Sequence, residues 1–204
     1  MFAAEKLRWN NMPITSLHAL SLMFLYFRYR KRFDPLALAV SSSFVDLEAA
    51  YYLLIMEPLN HRLLHSFTLA LTIYPILTTL GVYITERLFT GKLQSVYNKL
   101  GLKVSHVQYP ILAIYFCSLI GGFTHIFFDM FTHKDMPYVL YPIIYGNPFY
   151  LGTAAIVVEL AVILLALYSC LAWLKTAKHK NNISIKVGSC LPIDVCLSVR
   201  STRH

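Results

Sequence analysis

The chain has 204 residues, of which 57% are hydrophobic and only 14% charged, too apolar for an ordinary soluble domain, whose charged share is about a quarter. Its formal net charge of +8 is no argument for a nucleic-acid partner, because lysine and arginine gather in the cytoplasmic loops of membrane proteins. Cys117, Cys170, Cys190 and Cys196 form no Cys-x-x-Cys pair, so neither a disulfide framework nor a thiolate metal site is expected.

The first dozen residues lack the apolar core and small-residue cleavage site of a removable signal peptide. Residues 1–11 read as a leader, with Met12 available as an alternative start. Apolar runs bounded by charge then predict an all-α, polytopic bundle of five membrane spans, at 14–27, 35–56, 63–85, 108–131 and 150–174. A span needs about 20 residues to cross the hydrocarbon layer, so the first is short. Asp34 followed by Pro35 predicts the start of the second, as an N-cap and a first helical residue that misses no N–H. Lys92 to Leu100 predicts a helix lying on the membrane surface. Residues 12–174 thus form the membrane domain, and 175–204 a basic cytoplasmic tail without structure.

Charge sets the orientation. Fourteen of the 18 lysines and arginines fall after the first span (Arg28, Arg30, Lys31, Arg32), after the third (Arg87, Lys92, Lys99, Lys103) and in the tail. Only Lys6, Arg8, Arg62 and Lys134 occupy the alternate regions. The N-terminus is expected outside and the C-terminus inside.

This topology gathers the ionisable residues of the spans at the outer side. His18 opens span one, Asp46 and Glu48 lie in the outer half of span two, His61 and His65 flank the start of span three, and His125 and Asp129 approach the end of span four. Four residues of helix rise about 6 Å, so His125 and Asp129 share a face. Ionisable groups in membrane are costly and usually functional. Imidazole and carboxylate together suit zinc, manganese or iron. An ion with an open position lowers the pKa of bound water, and Glu48 or Asp46 is then a candidate general base. Residues two apart do not face one another on a helix, so Asp46 and Glu48 share a site only if the helix breaks there. His133 is a marginal ligand beside a helix end, and Glu159 a buried carboxylate of span five. The same groups also suit a transporter of protons or metal ions, or a structural pair between helices. In either case Gly121 and Gly122 would allow close helix approach.

The order Thr15-x-x-His18, Ser43-x-x-Asp46-x-Glu48, His61-Arg62-x-x-His65-Ser66 and Thr124-His125-x-x-x-Asp129, followed by Leu140-Tyr141-Pro142, resembles the predicted membrane-bound metal-dependent hydrolases of bacteria and archaea. The resemblance covers about residues 12–152. It implies a His/Asp metal site at His18, Asp46, His61, His65, His125 and Asp129 and hydrolysis of a lipid or phosphoester. Its partners would then be a divalent metal and membrane lipid.

Overall fold

The computed structural model describes residues 16–55, 63–102, 104 and 107–188, and these contain helices and turns but no strand. Helix α1 (Ser16–Arg28) leads through a basic turn into α2 (Pro35–Phe44) and α3 (Leu47–Leu54). A 3-10 turn at Leu63–His65 precedes α4 (Phe67–Leu71), α5 (Ile73–Leu88) and α6 (Thr90–Lys99). Then come α7 (Ile111–Thr132) and α8 (Ala155–Gly188), the latter entered through a 3-10 turn at Gly152–Ala154.

Two helical stretches, Ile111–Thr132 and Gly152–Ala177, are long and apolar enough to cross a membrane. The 22 residues of α7 rise about 33 Å, against a hydrocarbon layer of about 30 Å. The other expected spans are interrupted or short. Helix α1 has 13 residues, and the second span is two helices. The third is a 3-10 turn and two helices. Pro75 accounts for one break, since it cannot donate to the carbonyl of Leu71, where α4 stops.

Local chemistry explains the helix starts. Asp34 caps α2, its carboxylate accepting from Leu36 N–H at 2.9 Å, and Pro35 follows as expected. Ser66 caps α4 by accepting from Leu69 N–H at 3.3 Å. The expected surface segment is the helix α6. Helix α8 continues beyond 174 to Gly188, because Lys175, Lys178 and Lys180 are good helix formers and neither proline nor glycine intervenes. The first part of the region expected to lack structure is therefore helical, and 189–204 lie outside the described residues.

Helix α7 is the axis of the packing, in contact with α2, α4, α5 and α8, while α8 packs mainly on α1. The α2–α7 contact requires a glycine. A Cβ at Gly121 would overlap the Ser41 hydroxyl and lie 2.9 Å from Ser41 Cβ. At Gly122 a Cβ would meet only Tyr74, at 4.0 Å, so close approach rests on Gly121. One apolar cluster, around Tyr26, Leu38, Val82 and Ile114, fills the end of the bundle holding the basic turn. A second, around Val45, Tyr74, Ile126 and Met136, supports the other end.

Candidate metal centre

The polar residues singled out in the sequence meet at that second end. His18 stands in the first turn of α1, Asp46 in the break between α2 and α3, His65 at the close of the 3-10 turn, and His125 and Asp129 in the last two turns of α7. Helix α2 ends at Phe44 and α3 begins at Leu47. This is the break that lets Asp46 and Glu48 face a common centre. Asp46 occupies the cap position, its carbonyl accepting from Ala50 N–H at 2.9 Å, and aspartate is favoured there.

His125 Nε2 is 2.9 Å from Asp129 Oδ2 and 3.3 Å from Asp46 Oδ1, yet is aligned with neither as a hydrogen bond. His65 Nε2 is 3.9 Å from Asp46 Oδ1 and 4.0 Å from Asp129 Oδ2. One donor atom from each of Asp46, His65, His125 and Asp129 falls within 4.8 Å of all the others. Three of these residues are buried, and Asp46 has 18% of its side chain exposed. His125 Nε2, at the middle of this group, has no hydrogen-bond partner among the described residues. Buried polar atoms normally have partners, so the group leaves a place for a cation. This buried His/Asp group can hold a metal ion.

Two further residues orient the group. Glu48 Oε2 lies 3.2 Å from His65 Nδ1 and accepts from Leu64 N–H at 3.1 Å. A carboxylate behind a histidine fixes the tautomer that presents Nε2 to a metal, and Glu48 stands in that position behind His65. His18 Nε2 is 3.3 Å from the other oxygen of Asp129, and its ring centroid is 4.6 Å from that of His125. His61 lies outside the described residues. His133 caps the end of α7, its N–H donating to Asp129 O at 2.8 Å. Glu159 is half-buried on α8, not enclosed as expected, because this helix packs mainly along α1 and leaves residues such as Val157 and Leu164 open.

Sequence reasoning missed the residues that hold the loops around the group. Tyr74 donates to Leu64 O at 2.5 Å and steadies the turn carrying His65. Asn147 Nδ2 donates to Met130 O and His133 O, each at 2.7 Å, and ties the next loop to the end of α7. An asparagine before proline, Asn147-Pro148, marks a turn, whereas Tyr74 carries no comparable signal.

Residues 12–185 match the domain of unknown function DUF4184. The chain belongs to this family. The match takes in all four residues of the His/Asp group together with Glu48 and His18, and every described helix except the last residues of α8. No curated protein and no solved structure matches the chain.

Proposed function

We propose that this DUF4184 protein is an integral membrane, metal-dependent hydrolase. The observation that carries the reading is the convergence of Asp46, His65, His125 and Asp129, drawn from distant parts of the chain to within 4.8 Å. Zinc fits two imidazoles and two carboxylates best, with manganese or iron next. His65, His125 and Asp129 serve as the enclosed ligands, while Glu48 and His18 orient His65 and Asp129. A bound zinc would lower the pKa of a water at its open position to about 7. Asp46, the more exposed carboxylate, would be placed to accept a proton during hydrolysis.

The membrane arrangement in this proposal has five spans: α1, α2 with α3, residues 63–88, α7, and α8. Broken helices suit such a site, because irregular backbone is tolerated at membrane depth where it is enclosed by protein or lines a cavity. The basic segments support a C-terminus-in orientation. Arg30 donates to Thr176 Oγ1 at 2.6 Å and Trp173 donates to Leu100 O at 2.6 Å, which brings the basic turn, α6 and the start of the tail to one end. The metal-binding residues occupy the other end. There the loop after α7 exposes Ile143 (83%) and Tyr145 (71%). Such residues suit a membrane interface, and a lipid or phosphoester substrate would reach the site from it.

The direct test is elemental analysis of the full chain purified in detergent under metal-replete conditions, beside His125→Ala and His61→Ala. The intact chain is expected to carry metal and His125→Ala to lose it; an intact chain without metal ends the hydrolase reading. Hydrolysis of a chromogenic phosphoester and of a short-chain phospholipid then separates substrate classes. A reporter fused to the C-terminus should score as cytoplasmic, and an external signal would overturn the topology.

A further inference from the structure

A second buried polar cluster lies at the opposite end of the bundle, and the metal centre does not use it. Asp34 and Glu86 are 52 residues apart in sequence, and their side chains are 0% and 1% exposed. One oxygen of each carboxyl is satisfied by backbone: Asp34 Oδ1 by Leu36 N–H at 2.9 Å and Glu86 Oε2 by Tyr109 N–H at 3.1 Å. The remaining oxygens, Asp34 Oδ2 and Glu86 Oε1, find no donor among the described residues. The two carboxyls lie close enough to interact with one another. Two carboxylates cannot make that contact, since both would present only lone pairs and like charge in a desolvated place. A single proton between them satisfies both oxygens.

We infer that Asp34 and Glu86 form a second, proton-holding site in which Glu86 Oε1–H donates to Asp34 Oδ2 and latches α2 to α5. Among the described residues no charged group of opposite sign is in direct contact with the pair. Helix α1 contributes Tyr26, α6 contributes Tyr97, the segment before α7 contributes Tyr109, and α7 contributes Cys117, whose sulfur accepts from Asp34 N–H at 3.3 Å. The Tyr26 and Tyr97 hydroxyls are buried without a hydrogen-bond partner among the described residues, and Tyr109 donates to Arg30 O at 3.2 Å. The nearby cations are Arg87, beside Glu86 in sequence, and Arg30, whose guanidinium is held by Thr176. Burial pushes the Asp34 carboxyl up to about 6. A carboxyl held protonated in this way keeps in the folded protein a proton that the unfolded chain has lost, so the latch weakens as pH rises above about 4.5.

Glu86→Gln tests this in the full chain in detergent, because its amide NH2 can donate to Asp34 while its oxygen still accepts from Tyr109. Infrared difference spectra should show a protonated carboxyl band near neutral pH in the intact protein and its loss in Glu86→Gln. The unfolding temperature of the intact protein should drop across that pH window, whereas Glu86→Gln should lack this component of the drop and Glu86→Ala should be less stable at every pH. Asp34→Asn provides a second neutral partner and should also remove the band should Glu86→Gln fail to fold. Absence of the band from the intact protein, or an unchanged pH profile in Glu86→Gln, overturns the inference. So does stabilisation of the intact chain by calcium or magnesium that both neutral variants lose, since a cation would then occupy the pair. His125→Ala, which strips the metal centre, should leave the band in place.

Discussion

Gly121→Ala tests whether the α2–α7 contact sets the spacing of the metal centre. A methyl group there would overlap the Ser41 hydroxyl and lie 2.9 Å from Ser41 Cβ and 3.1 Å from Ser42 N. The hydroxyl can rotate away, at the expense of its contacts with Leu38 O at 3.4 Å and Cys117 O at 3.5 Å. The Cβ and the backbone nitrogen cannot. Ordinary contact begins near 3.4 Å, so α2 must retreat from α7 by about 0.5 Å. Overpacking of this kind costs about 1–3 kcal/mol, or roughly 2–12 °C in unfolding temperature for a chain of this size. Asp46 lies five residues beyond Ser41 and His125 four beyond Gly121, so the shift separates ligands from two helices. We expect metal affinity to fall at least tenfold, roughly the lower bound for disturbing groups that orient ligands. Thermal unfolding in detergent and competition against a chelator measure the two effects. Gly122→Ala is the control, since its methyl meets only Tyr74 at 4.0 Å. Equal behaviour of the two variants, or an unchanged Gly121→Ala, would refute the reasoning.

Glu48→Gln keeps an acceptor for Leu64 N–H but removes the charge behind His65, and metal affinity should fall about 10–100-fold, read by chelator competition. Protonated imidazole cannot ligate, so metal occupancy should decline as pH falls below about 6.5 and recover on return, followed by elemental analysis after equilibration. Tyr74→Phe removes the 2.5 Å bond to Leu64 O and should lower stability by about 1 kcal/mol, with a loss of metal affinity because His65 is the next residue.

What could be read from the sequence was the local and the topological. Asp34 and Pro35 announce a helix start through their own chemistry, and the helix follows. The distribution of lysine and arginine placed His18, Asp46, His65, His125 and Asp129 at one end, and the structure brings these five together. The break at Asp46 carried no comparable mark. Neither proline nor glycine lies between Val40 and Leu47, and the interruption sits where α2 runs against α7, a tertiary contact. Pro75 did mark an interruption, but the apolar run around it reads as one span. The contact of Glu48 with His65 could not be read, because it depends on the fold of a distant turn. The Asp34–Glu86 contact depends on how α2 and α5 pack, which no local spacing reveals.

The breaks and the metal centre are better understood as one feature than as two. An interrupted helix frees backbone donors and acceptors, and away from water each must find a partner. At the turn before α4 those partners belong to the centre or adjoin it: Glu48 takes Leu64 N–H, Tyr74 donates to Leu64 O, and the Ser66 hydroxyl caps the next helix. Glu48 thus satisfies the backbone and orients His65 with the same oxygen. A continuous helix through residue 46 would need none of these partners, but it would turn Asp46 and Glu48 to different faces. The irregular backbone is therefore what allows two carboxylates, two residues apart, to act on one histidine cluster, and the carboxylate nearer the 3-10 turn is part of what makes that backbone tolerable.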